Sequence, residues 1–106
     1  FGQRYDSFTI TTRLAVEDLG CRKKGDGGAF FANQRTAPGG AFPVNTSGGG
    51  LSYTHPGMFG IFLLIEAARQ LRGECGERQV KGAEVGIANG MGGLLSSAAT
   101  VILGRD

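Results

Sequence analysis

His55 is the only histidine in the chain, and it stands two residues after Tyr53 in the stretch GGGLSYTHPGMFG. A neutral imidazole can take a proton as a general base or donate a hydrogen bond to a thioester oxygen. Pro56 follows at what reads as the first position of a helix, where a missing N–H is no loss. The positive end of that helix's dipole would favour the uncharged ring. The plainer alternative is a loop histidine satisfied by backbone. Tyr53 could serve as a phenolic acid or base, or as an aromatic plug bonded locally. Tyr5, at the mouth of a first helix, could face the same cleft. NGMGG offers successive backbone amides beside small residues, with Ala88, Asn89 and Gly90 as the candidate backbone there. That suits an oxyanion hole, or nothing more than a hairpin turn.

The remaining candidates are weaker. Cys21 lies beside Arg22, Lys23 and Lys24 but reads as a passive thiol, and Cys75 has no second thiol near it in sequence. Neither has metal-ligand spacing, so no metal site is expected. The glycines of NGMGG lack the lysine–serine/threonine ending of a phosphate loop.

Positioning such groups requires a fold, and 106 residues suffice for one modest domain over residues 1–106. Asp6 or Ser7 can cap a helix running to about Leu19, with Phe8, Ala15 and Leu19 as its apolar stripe, Ile10 and Leu14 beside them, and Gly20 as its stop. Residues 22–40 are polar and glycine-rich, a surface excursion with room for a hairpin. AFPVNT reads as a short extended segment. A second helix is expected from about Gly57 to Leu71, apolar nearly all round at its start and therefore buried. AEVGIAN reads as a strand, GMGG as a turn, and LLSSAATVILG as an antiparallel return strand. The order helix, strand, helix, strand, strand gives an α/β class: a mixed β-sheet flanked by helices, with a buried core helix.

Glycine is in excess, 20 of 106 residues against roughly 7% in ordinary proteins, and it clusters between the apolar segments as turns. A net charge of +2 with 19% charged residues gives no reason to expect nucleic acid as a partner. The longest apolar run is too short for membrane insertion. Nothing in the sequence recommends a disulfide between the two cysteines, so a reducing, cytoplasmic setting is the default expectation, and a start at Phe1 suggests a piece of a longer protein.

VNTSGGGLSYTHPGMFG and GIANGMGGLLSSAATVIL together resemble the two C-terminal signature regions of the thiolase superfamily, and YDSF at residues 5–8 takes the place of its Asn-Glu-Ala-Phe motif. The resemblance covers essentially the whole chain. It implies the C-terminal part of a thiolase-like fold, without the N-terminal half that carries the nucleophilic cysteine. It also implies an acyl-CoA thioester as substrate, no covalently bound cofactor, and a homodimer. His55 would match the family's catalytic histidine. Gly86 falls where the family has a second, acid/base cysteine, and Tyr5 replaces its asparagine. These departures resemble the lipid-transfer-protein-like branch, which implies a small zinc-ribbon/OB-fold partner and tyrosine-based chemistry.

Three functions follow from the resemblance. One is an acyltransferase of acetyl-CoA acetyltransferase type, acting in lipid, fatty-acid or sterol metabolism. The second is a retro-aldol carbon–carbon lyase on β-hydroxyacyl-CoA using Tyr5 and Tyr53. The third is a non-catalytic acyl-CoA or lipid binder. The isolated stretch is expected to be inactive.

Overall fold

A computed structural model describes residues 1–106. Its sheet holds three strands, β1 (Gly2–Arg4), β2 (Val85–Gly92) and β3 (Ser97–Gly104), in the order β1-β2-β3. β1 runs parallel to β2, whereas β3 returns antiparallel with Val85 opposite Gly104 and Gly92 opposite Ser97. The sheet is mixed, as expected, and helices flank it. β1 itself is illegible in the sequence, because GQR has no apolar alternation. Only its pairing of Gly2, Gln3 and Arg4 with Ile87, Ala88 and Asn89 makes it a strand.

The return strand is shorter than LLSSAATVILG suggested. β2 continues through Gly90, Met91 and Gly92, so the turn falls at residues 93–96. AFPVNT does not form a strand of its own. Val44 makes a single parallel bridge to Gly2, with the Gly2 amide on the Pro43 carbonyl at 3.0 Å. Pro43 has no N–H to extend that ladder.

Helix α1 spans Thr9–Asp18 and starts later than expected, since Asp6 is engaged elsewhere. The Thr11 hydroxyl closes its first turn instead, accepting from the Phe8 amide at 3.1 Å and donating to the Phe8 carbonyl at 2.6 Å. The buried face is Thr11, Thr12, Ala15 and Val16, so Ala15 alone of the expected stripe is buried. Phe8, Ile10 and Leu14 are more than half exposed. Residues 22–40 contain no hairpin. A single helical turn, α2 (Gly27–Phe30), instead buries Phe30 against Phe31 and Phe42, with the Arg22 guanidinium over its ring.

Helix α3 spans Gly60–Arg72 and packs across all three strands. Phe59, Leu63, Ala67 and Ala88 form the core, with Phe1, Tyr5, Leu64 and Leu103 around it. Gly73 ends the helix at φ 75°, a conformation that glycine alone adopts without strain, and Glu74 donates back to the Arg69 carbonyl. The expectation of a helix buried on every side is not met within this chain. One sheet covers only one face, and Ile61, Phe62 and Ile65 stay about half exposed on the other.

The buried face of α3 is also partly polar. Glu66 is 4% exposed and takes a bidentate pair from Arg78, with Nε and Nη2 at 3.0 and 3.1 Å. Thr46 donates to the same carboxylate at 2.8 Å and accepts from Gln3 and Gln70. Gln70 continues the network, taking the Val80 amide on its carbonyl oxygen and donating to the Arg78 carbonyl. The segment after α3 is thereby tied to β1. Burial pushes the Glu66 carboxyl up, but hydrogen bonds from Arg78, Thr46 and Gln70, with the charge of Arg78, outweigh it and hold the group below the ordinary carboxylate range.

Candidate active site

Tyr5 follows β1 directly, and its amide continues the strand ladder onto the Asn89 carbonyl at 2.9 Å. This fixes the start of the side chain relative to the sheet. The ring then packs between His55 and Phe59, with centroids 6.0 Å from each. The Tyr5 hydroxyl reaches His55 Nδ1 at 3.1 Å. Two residues separated by fifty positions therefore form one hydrogen-bonded dyad.

His55 is carried by a loop that is fastened rather than floppy. The Asp6 carboxylate accepts the amides of Gly50 at 2.6 Å and Leu51 at 3.1 Å. Gly49 sits at φ 70°, and a Cβ there would run into the Asp6 carboxylate and come within 2.9 Å of Asn45 Nδ2. Glycine is thus required by conformation and by space together. The Asp6 that reads in sequence as a helix cap is in the structure the clasp of the GGGLSYTHP loop.

His55 does not sit at the helix terminus. A turn at residues 57–59 intervenes before α3 begins at Gly60, so His55 precedes the helix by five positions. Met58 within that turn has φ 63° and is almost fully exposed. A left-handed non-glycine residue costs about 1–2 kcal/mol, and such strain concentrates near functional sites.

Tyr5 and His55 line a cavity of about 540 Å³ whose other walls include Phe59, Gly60, Gly90 and Met91. The glycine-rich end of β2 therefore faces the dyad. Ala88 and Asn89 do not line this cavity. They pair with Gln3 and Arg4 on one side and with Val101 and Thr100 on the other. A central strand spends its backbone polar groups on two ladders. Asn89 is buried, and its amide donates to the Thr100 hydroxyl at 2.9 Å. Of the three backbone candidates, Gly90 alone lines the cavity with the dyad.

Tyr53 is placed differently. Its hydroxyl donates to the Ser47 carbonyl at 3.0 Å, and its ring lines a separate cavity of about 410 Å³ with Phe62, Arg69 and Arg78. Tyr5 and Tyr53 thus line two neighbouring cavities that share Pro56 and Phe59 as walls. Gly86 also lies off the dyad's cavity, and the Phe1 ring occupies the space that a side chain there would fill. Neither cysteine lines the cavity. Cys75 is buried, and burial, reinforced by the nearby Glu66 charge, pushes its thiol up. No group of three or more metal-binding side chains occurs.

A family model described as thiolase C-terminal domain-like matches residues 1–105. Acetyl-CoA acetyltransferase of Methanothermobacter thermautotrophicus is 47% identical over 102 residues, 95% of this chain and 27% of that protein. Sterol carrier protein 2 of Rattus norvegicus is 40% identical over 102 residues, 95% of this chain and 18% of that protein. The 17-hydroxy-3-oxo-4-pregnene-20-carboxyl-CoA lyase of Mycobacterium tuberculosis is 45% identical over 71 residues, 65% of this chain and 17% of that protein. The chain thus spans 27% or less of the length of each of these relatives.

Proposed function

The chain belongs to the thiolase C-terminal domain-like family, and from that premise we propose that it supplies the histidine side of an acyl-CoA-dependent acyltransferase site. The observation that carries this reading is the Tyr5–His55 dyad at the wall of a cavity also lined by the glycine-rich end of β2. If the phenol donates to Nδ1, the ring proton sits on Nε2 and can hydrogen-bond a thioester oxygen. If Nδ1–H donates to the phenol oxygen, Nε2 is the free base. The same pair therefore serves an oxyanion and a proton transfer in turn. Tyr5 positions the ring, and its phenol can pair with Nδ1 in either tautomer.

The attacking thiol is assigned to the rest of the natural polypeptide, because Cys21 and Cys75 both lie away from the cavity. Gly90 and Met91 are the proposed backbone wall on the oxyanion side. Homodimerisation and a small zinc-ribbon/OB-fold partner belong to the same proposal, as does action in lipid metabolism. No helix is long and apolar enough to cross a membrane.

A second reading, a retro-aldol lyase on β-hydroxyacyl-CoA, draws on the phenol of Tyr5 at the cavity and on the likeness to the pregnene-carboxyl-CoA lyase. With Tyr53 in another cavity, that chemistry would rest on Tyr5 and His55. One experiment tests both: the natural polypeptide carrying residues 1–106 is offered acyl-CoA with an acyl acceptor, and separately β-hydroxyacyl-CoA. Acyl transfer that is lost in His55→Ala supports the first reading. Ketone or aldehyde release lost in Tyr5→Phe supports the second. Binding of acyl-CoA with neither reaction would contradict both and favour a lipid-binding member.

A further inference from the structure

Arg4 is fully buried, and no carboxylate meets it. Gln3 faces α3 through Thr46, so alternation along β1 sends Arg4 to the opposite face of the sheet. There its side chain folds back beside Gly2, with Nε 3.3 Å from where a Cβ would stand. Nη2 lies 3.2 Å from Cys21 Sγ. Nε and Nη1 have no hydrogen-bond partner. A buried guanidinium short of acceptors is strongly disfavoured, and a thiol sulfur is a weak acceptor.

Cys21 follows α1 directly, with its amide bonded to the Val16 carbonyl. It is half-buried, whereas Cys75 is only 2% exposed. The geometry points to Cys21 as a modification site: a small hydroperoxide converts it to the sulfenic acid, and the new oxygen becomes the acceptor that Arg4 lacks. The sulfur attacks one oxygen of hydrogen peroxide, forming the S–O bond as the O–O bond breaks. Sulfur is oxidised by two electrons, and the departing oxygen takes the thiol proton and leaves as water. The site pairs a half-buried thiol with a buried guanidinium whose Nη2 lies at the sulfur and whose Nε and Nη1 are unfilled.

The test treats the natural polypeptide with hydrogen peroxide and traps sulfenic acid with dimedone, reading each cysteine by peptide mass. Adduct at Cys21 should form faster in the folded protein than in urea, despite half-burial, while Cys75 is protected when folded. Arg4→Leu, confirmed folded by circular dichroism, should lose that advantage. Slower or equal labelling of Cys21 in the folded protein would overturn the inference, as would an undiminished rate in folded Arg4→Leu. Should Arg4→Leu not fold, the folded-to-unfolded rate ratio decides alone.

Discussion

Tyr5 and His55 meet because β1 ends where the Asp6-clasped loop passes over the sheet. Residue type made both legible as candidates, but not as a pair; spacing along the chain carries no hint of a contact across fifty positions. Tyr53 was equally legible by type, and its bond to Ser47 could not be read from spacing. General acid–base groups typically contribute 10²–10⁴-fold. On the proposed function, His55→Ala should therefore lower kcat of the natural polypeptide by about 100-fold or more, with KM for the thioester little changed. Tyr53→Phe should leave kcat within about threefold, because its hydroxyl is engaged outside the dyad's cavity. Steady-state kinetics on the two variants separate the roles.

Elements that announce themselves by pattern were found, and elements made by pairing were not. α3 opens on the apolar run Ile61 to Ile65, β2 has Val85, Ile87 and Ala88 among glycines, and Gly20 and Gly73 mark helix ends at positive φ. β1 is three polar residues, and the threonine face of α1 outcompetes an apolar stripe for burial. The Glu66–Gln70 network is hard to read from sequence, because a glutamate on an apolar helix looks like its solvated edge. The available signal was spacing: Glu66 and Gln70 share the i, i+3, i+4 face of Leu63, Ala67 and Leu71. Removing one partner of such a buried pair costs about 3–5 kcal/mol, less where the partner is partly exposed. Arg78 is such a partner, so Arg78→Ala should destabilise by about 2 kcal/mol, read as a lowered urea midpoint. The clasp gives a parallel expectation. Asp6→Ala removes two charge-assisted bonds to the Gly50 and Leu51 amides, a loss of about 3 kcal/mol, and should leave the loop amides faster to exchange hydrogen.

For the whole molecule, pH dependence follows from Glu66. Its folded carboxyl titrates below the unfolded value, so its contribution is present above about pH 4.3 and is lost as pH falls through the folded value. Thermal melts should show Glu66→Gln less stable than the parent at pH 7, with the gap narrowing on acidification. A constant gap would remove Glu66 from the acid transition. At the same scale, the half-exposed Ile61, Phe62 and Ile65 show that this sheet alone does not enclose α3. The sequence shows this helix as apolar nearly all round at its start; which face the chain itself covers depends on sheet topology. The most direct test of the dyad is a double-mutant cycle of Tyr5→Phe and His55→Ala on kcat in the natural polypeptide, measured with a CoA thioester. Groups that act as one unit are strongly non-additive. The 3.1 Å contact predicts that the double variant loses little more than His55→Ala alone. Fully additive losses would show two independent groups and contradict the dyad.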